Sequence, residues 1–447
     1  MEIRAKYRKF LLSKNSNFIS YAISKFHSTY IKKDKRNRNL YQILSFFRKM
    51  SYIFDDSNKY QKNKGYIDAI IISNLVSANE NKNDLYFGNL SIELKKKKIK
   101  TLSVYRNHTF IRSKKIKNLF NNHNKILLSK RLDFINEIKI VIYFFNELLL
   151  LLFSKKYSFI KENLALRDLF SIIPNLRLVY QIDELLRIYS PKAILFTYEG
   201  HAWERLLVYM CKNYNNKIKS IAYQFSIIKK KQFGFFNKLK KNYNPDYIAT
   251  SGSIPHNIIK KKIKFSNLIK LGSPKFTKND NNNIKTIDLL VALDSNQKYF
   301  FKMFNFCRNF ANKNPNFRIV LRPHPILTND KKLLDEISKN INKIKNIKIS
   351  NNSLAVDLKR CRYLLYLDSV IGINCLNYGV KPLFFYVKNV PNIFDGNFPK
   401  KYVIKNYSDL QLSLKNKKIE KISNYFKNYR DNYFEKFNIY SLKKIFK

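Results

Sequence analysis

Glycine, proline and cysteine are all scarce in this sequence. Nine Gly and eleven Pro in 447 residues exclude collagen-like and linker-dominated architectures. The four cysteines, Cys211, Cys307, Cys361 and Cys375, are widely spaced and form no Cys-x-x-Cys pair. That excludes a disulfide scaffold and a four-Cys zinc site, and it suits a reducing cytoplasm. A continuous apolar run of membrane-spanning length is also missing. The most apolar stretch, residues 138–153, is interrupted by Lys139, Asn146 and Glu147, whereas a span needs about 20 mostly uncharged residues. The N-terminus has neither the apolar core nor the small-residue cleavage site of a signal peptide, so a cytoplasmic location is expected.

Negative charge is scarce as well. Against 86 Lys+Arg there are 31 Asp+Glu, a formal net charge of +55. One reading is a polyanionic partner, either nucleic acid or an anionic membrane surface. The other is compositional: Lys, Asn and Ile crowd the whole chain, and all three use AT-rich codons. The basic runs at 95–98, 229–231 and 260–262 are scattered, which favours composition. A surface this basic is drawn to anionic headgroups in either case. Lys155, Lys156 and Lys161 follow the 138–153 stretch. They fit a helix lying on a bilayer, with an ordinary core helix as the alternative.

What is present argues for a folded chain. Hydrophobic residues at 45% and aromatics at 15% exclude wholesale disorder, and the length suggests two or three domains. Residues 1–60 read as a helical extension. From residue 66 short β-branched runs appear, the mark of buried parallel strands. Expected strands are 66–73, 100–105, 193–197, 217–223, 246–250 and 268–271, with residues 106–190 mostly helical. The polar, Asn-rich segment 277–285 reads as a linker. Beyond it, strands are expected at 287–293, 317–321, 347–349, 363–367 and 382–386, with helices between them, and a helical tail follows residue 410. Strand–helix alternation predicts an α/β fold of two Rossmann-like domains facing a cleft. The first covers residues 61–276 and the second 286–410, leaving 411–447 as the tail.

Parallel sheets bind ligands at the carboxyl ends of their strands. Three segments occupy such positions. In Tyr198-Glu199-Gly200-His201, Glu199 directly follows a strand and precedes a helix; it reads as a general base or as a helix-capping acid. In Arg322-Pro323-His324-Pro325, two prolines fix the turn and present a cation and an imidazole suited to a phosphate. In Asp368-Ser369-Val370-Ile371-Gly372, Ser369 is placed to cap a helix or to meet a phosphate oxygen.

In this order and on these elements, the motifs resemble those of GT-B-fold glycosyltransferases that use nucleotide-activated sugars. The likeness is to bacterial sialyltransferase, Kdo-transferase and CDP-glycerol glycerophosphotransferase-like enzymes of surface-polysaccharide biosynthesis, over about residues 190–390. TYEGHAWERLL, IAYQFS, LGSPKF, IVLRPHP and DSVIGINCLNYGVKPLFF look like the corresponding blocks. The resemblance implies an acidic-Gly motif at Glu199 and Gly200, a His-Pro motif at His324-Pro325 and a Ser motif at Ser369. Glu199 would then activate the acceptor hydroxyl. His324 and Ser369 would hold the donor phosphate and stabilise the leaving nucleotide. Charge adds Arg322 to the donor set. Gly372, Gly272, Ser273 and Asn374 are further donor-side candidates, and His201, Gln224 and Ser226 are placed on the acceptor side or the cleft. Tyr198 stands where the sialyltransferase-type motif has a second acid, and Asn374 where many relatives carry Glu.

The implied reaction is metal-independent, inverting transfer of a sugar from a nucleotide-sugar, with a CMP-sugar such as Kdo or sialic acid favoured, to a glycan or lipid-linked glycan. No Asp-x-Asp site is found near these motifs, so no metal and no other cofactor is expected. An anionic membrane surface is an expected partner and nucleic acid is not. The alternatives are a basic nucleic-acid-binding protein and a nucleotide-sugar epimerase or hydrolase of the same fold.

Overall fold

In a computed structural model, the described residues are 9–13, 18–23, 66–76, 84–108, 116, 120, 124–129, 131–153, 172–228, 232–276, 284–325, 327, 330–394, 397–415 and 423–446. Their strands fall into two sheets, and every pairing is parallel. The first contains β1 (Ala69–Leu75), β2 (Thr101–Asn107), β3 (Lys125–Leu128), β4 (Ala193–Thr197), β5 (Lys219–Gln224), β6 (Tyr247–Thr250) and β7 (Asn267–Lys270). Its spatial order is β3-β2-β1-β4-β5-β6-β7. The second contains β8 (Ile287–Ala292), β9 (Ile319–Arg322), β10 (Ile347–Ile349), β11 (Cys361–Tyr366), β12 (Lys381–Phe385) and β13 (Val403–Ile404), in the order β10-β9-β8-β11-β12-β13. Both are the doubly wound order of a Rossmann-like sheet, and the expected fold class is observed in each.

The sequence shows why these runs are buried on both sides. Successive side chains of a strand point to opposite faces. In β1, Ile70 and Ile72 enter one core with Phe196, Leu207 and Ile248. Ala69 and Ile71 enter the other with Leu195, Ile221 and Leu442. A run that must fill two cores has no polar face to show.

The chain divides into two compact units, Met1–Pro274 with Lys436–Lys447, and Lys275–Glu435. Within residues 106–190, expected to be mostly helical, β3 also pairs as the edge strand beside β2. One sequence expectation needs correction. The segment after residue 410 is not one tail. The Asn424–Asn432 helix lies in the second unit, where the Phe426 and Tyr429 rings meet Phe394 edge to face. The Ile439–Phe446 helix packs Leu442 and Phe446 into the first. β13 is an addition that the sequence did not suggest. Of the expected 1–60 extension, residues 9–13 and 18–23 are described; Leu11, Ile19 and Tyr21 pack with Ile172, Leu176 and Leu206. The rest of that extension, the basic run 229–231 and residues 277–283 of the expected linker lie outside the described residues. All four cysteines are buried free thiols.

The apolar stretch of the middle region forms a 20-residue helix, Phe134–Phe153. Ile140 and Phe144 are buried against Ile172, Leu176 and Val179. No helix among the described residues is long and apolar enough to cross a membrane.

Candidate functional site at the strand ends

The strand order of the first sheet reverses between β1 and β4, and in doubly wound sheets ligands bind beyond the carboxyl ends at such a switch point. Asn74, late in β1, donates from Nδ2 to Thr197 Oγ1 of β4 at 3.3 Å. Arg106 of β2 donates to Asn74 Oδ1 at 3.3 Å, and its guanidinium lies 3.9 Å from the Trp203 ring centroid. Burial pulls the Arg106 pKa down to about 10, against the opposing pull of the Glu204 carboxylate.

The turn after β4 carries the expected motif, and a second acid builds it. Tyr198 is a core residue: its N–H donates to the Tyr223 carbonyl at 2.8 Å, and its ring packs on Phe235 with centroids 5.0 Å apart. An acid at this position would be buried. Gly200 has φ +81, and a Cβ there would stand 2.0 Å from the Gly234 carbonyl carbon. Only glycine fits that approach. Glu204, on the first turn of the Ala202–Tyr214 helix, is 1% exposed. Its Oε2 accepts the backbone N–H of Glu199 at 3.0 Å, Gly200 at 2.6 Å and His201 at 2.7 Å. Burial pushes the Glu204 pKa up to about 7, with the neighbouring His201 charge and these N–H groups opposing.

The capping role considered for Glu199 therefore belongs to Glu204. Glu199 has a side chain 30% exposed, with Oε2 3.0 Å from His201 Nε2. The His201 pKa is raised: burial lowers it, but the hydrogen bond to Glu199 and the Glu204 and Glu199 charges outweigh that. The fully buried Arg205 donates to the carbonyls of Tyr243, Gly234 and Asn237 and to Asn244 Oδ1. It ties the 234–244 segment to the helix that carries the turn.

In the second sheet the order reverses between β8 and β11. His324 follows β9 and is half-buried. Burial lowers its pKa, while the charge of Asp294, just beyond β8, raises it. Arg322 is engaged internally: Nη1 donates to Asp357 Oδ2 at 2.7 Å and to the Asn352 carbonyl at 2.8 Å. Asp357 is 0% exposed and also accepts from Ser350 Oγ and Asn352 Nδ2. Ser369 Oγ accepts from Ile371 N at 3.4 Å, and its carbonyl accepts from Gly372 N at 3.1 Å. A Cβ on Gly372 would stand 2.9 Å from Ile393 and the Tyr366 ring. The Asn374 Oδ1 atom is buried without a hydrogen-bond partner among the described residues.

The remaining expected residues are mostly internal. The Gly272 carbonyl accepts the Tyr223 hydroxyl at 2.9 Å, and Ser273, 3% exposed, also hydrogen-bonds Tyr223. Gln224 is buried; its Oε1 accepts from Ser251 N and Oγ, and its Nε2 donates to the Ser226 carbonyl. The Ser226 hydroxyl is buried with no partner among the described residues. Within the first unit the structure thus gathers Glu199, Gly200 and His201, and within the second His324 follows β9 and Ser369 follows β11. Sequence reasoning missed Asn74, Arg106, Glu204, Asp294 and Asp357. A search of every strand's carboxyl end would have found Asn74, Arg106 and Asp294. Two surface hollows of about 440 and 430 Å³ are lined by other residues, including Tyr209 and Tyr243 in one and Tyr247 and Tyr440 in the other. Among the described residues no three His, Cys, Asp or Glu side chains gather as a metal site requires.

No family model matches the chain, and no curated protein matches it. Solved structures do. S. aureus MnaA, solved with UDP, is similar at 10% identity and a TM-score of 0.50, covering 85% of this chain and 95% of that one. A UDP-GlcNAc 2-epimerase from Neisseria meningitidis, bound to UDP-GlcNAc, is similar at 11% identity and a TM-score of 0.48, covering 81% and 97%. A mutant of S. aureus TarM, in complex with fondaparinux, α-GlcNAc-glycerol and UDP, is similar at 10% identity and a TM-score of 0.46, covering 86% and 100%. With its two doubly wound parallel sheets, one in each unit, the chain has a GT-B-like fold.

Proposed function

We propose that the protein is a glycosyltransferase of surface-polysaccharide biosynthesis, of the O-antigen, capsule or lipopolysaccharide type. It transfers a sugar, with inversion and without a metal, from a nucleotide-activated donor to a glycan or lipid-linked glycan at the inner face of the cytoplasmic membrane. The observation that carries the reading is the contrast between two acids at the first switch point. Glu204 is buried and holds the turn by three N–H groups, while Glu199 on that turn keeps an accessible carboxylate. A base needs both features, a fixed backbone and a reachable oxygen.

In the reaction, a Glu199 oxygen takes the proton of the acceptor hydroxyl as the hydroxyl oxygen bonds to the anomeric carbon. The bond from that carbon to the donor phosphate breaks, and its electron pair leaves with the nucleotide. His324 and Ser369 are assigned to the leaving phosphate and Asn374 to the nucleotide. Arg322 is left out of this set because Asp357 holds it. The resemblance to sialyltransferase and Kdo-transferase motifs favours a CMP-sugar. The UDP in the MnaA structure makes a UDP-sugar the competing donor.

A thermal-shift screen with CMP, UDP and CDP tests donor binding, since a ligand that binds only the folded state raises its apparent stability. Glu199→Gln should keep the nucleotide response and lose transfer by at least about a hundredfold. Full transfer in that variant removes Glu199 from the mechanism. The second reading, a nucleotide-sugar epimerase of the same fold, draws on the epimerase from N. meningitidis among the neighbours. It requires UDP-GlcNAc to be converted to an epimer with no acceptor present.

A further inference from the structure

We propose that the outward face of the Phe134–Phe153 helix docks the protein onto an anionic lipid bilayer. The helix is about 30 Å long at about 1.5 Å per residue. Its inner side is settled: Ile140 and Phe144 are buried, and Glu137 forms a 2.8 Å ion pair with Arg177 that fixes which side faces inward. The opposite side is the more apolar one. Phe134, Ile138, Ile142, Phe145, Leu149 and Phe153 are 42–81% exposed. At 100° per residue these six fall within an arc of about 100° along the whole helix. Soluble proteins seldom show so large a continuous apolar strip unless something covers it.

Charge decides between the possible covers. Lys139 is exposed on the helix itself. In the sequence Lys130 and Arg131 precede the helix, and Lys155, Lys156 and Lys161 follow it. An apolar strip with basic flanks matches the acyl boundary and anionic headgroups of a bilayer lain upon, not crossed. A second copy of the chain is disfavoured, because two molecules of net charge +55 repel. The docking surface shares no residue with the turn that carries Glu199, so its failure and the failure of the proposed reaction can be told apart.

The test uses the full chain and sedimentation with vesicles of phosphatidylglycerol and phosphatidylcholine, against phosphatidylcholine alone. The protein should bind the anionic vesicles, and more weakly as salt rises. The double variant Phe145→Asp with Leu149→Asp should bind them at least about tenfold more weakly, with an unchanged melting temperature. Phe145→Trp should show emission that shifts to the blue on adding vesicles and is quenched by brominated acyl chains. Equal vesicle binding by wild type and double variant overturns the proposal. So does a double variant that melts well below wild type, which would show that the chain covers its own strip. A wild-type dimer that the double variant splits into monomers also overturns it, because a second copy would then be the cover.

Discussion

The Glu204 carboxylate accepts the backbone N–H of Gly200 at 2.6 Å, and the same oxygen takes the N–H groups on either side. One acid is spent inside the protein to hold the turn on which the other is displayed. Their proximity also links them electrically: the Glu199 charge raises the Glu204 pKa, and Glu204 in turn raises that of His201.

Glu204→Gln should leave the turn intact, because one amide oxygen can replace the one carboxylate oxygen that accepts all three N–H groups. Glu204→Ala leaves those donors buried without a partner and should destabilise the protein by about 2–3 kcal/mol. The pH dependence follows from burial. The folded pKa is pushed up to about 7 from 4.5, so the folded state holds this proton more tightly. The stability it contributes is fully present below about pH 4.5 and is lost as pH rises through 7. Urea midpoints measured from pH 5 to 8 should fall less steeply in Glu204→Gln than in wild type. An unchanged slope would remove Glu204 from the balance.

Two glycines of the motifs should respond differently to alanine. At Gly200 the backbone is left-handed, and the clash is with the Gly234 backbone, which cannot rotate away. Gly200→Ala should yield little folded protein in a soluble-expression and melting assay. Gly372 has ordinary φ, and its added Cβ would meet side chains of Ile393 and Tyr366 at 2.9 Å. Gly372→Ala should fold and be weakened by about 1–3 kcal/mol, the usual scale of overpacking.

Strands buried on both faces were legible as unbroken apolar runs: β4, buried at all five positions, coincides with the expected 193–197. β10 coincides with 347–349 as well, although its central Lys348 is exposed. β3, Lys125–Leu128, was missed although it is no shorter than β7 or β10; Lys125 and Ile126 are only partly buried at the sheet edge. The motif turns were legible because a chemistry-bearing residue directly follows a strand. Glu204 was not, because its cap lacks the Ser or Thr that marks a capping box; His201 stands there instead. Arg322 was assigned to a phosphate on its charge alone. Its partner Asp357 lies 35 residues away on another element, and no local pattern announces such a pair.

That pair yields a direct test. Arg322→Met would leave Asp357 charged and wholly buried, which should destabilise the second unit by about 3 kcal/mol. The double variant Arg322→Met with Asp357→Asn should recover part of the loss, because the uncompensated charge goes with it. Urea unfolding of the two variants and wild type measures both effects. If Arg322→Met kept its stability and lost only its nucleotide-induced thermal shift, the arginine would belong to the donor site after all.

His324 should betray a bound phosphate through protons. Burial holds its pKa below the ordinary 6.5, with Asp294 pulling the other way, so the unliganded imidazole is neutral at pH 7. A phosphate arriving beside it favours the charged form, so nucleotide binding should take up a proton and should tighten as pH falls toward 6. Calorimetry in two buffers of different ionisation enthalpy reads that uptake directly. His324→Asn keeps a hydrogen-bonding group but cannot titrate, and should bind with no proton uptake and a flat pH profile. Its folding stability should also respond. A depressed histidine pKa means stability is lost as pH falls below about 6.5, and the variant should lack that loss. Proton uptake that persists in His324→Asn would move the phosphate to another group.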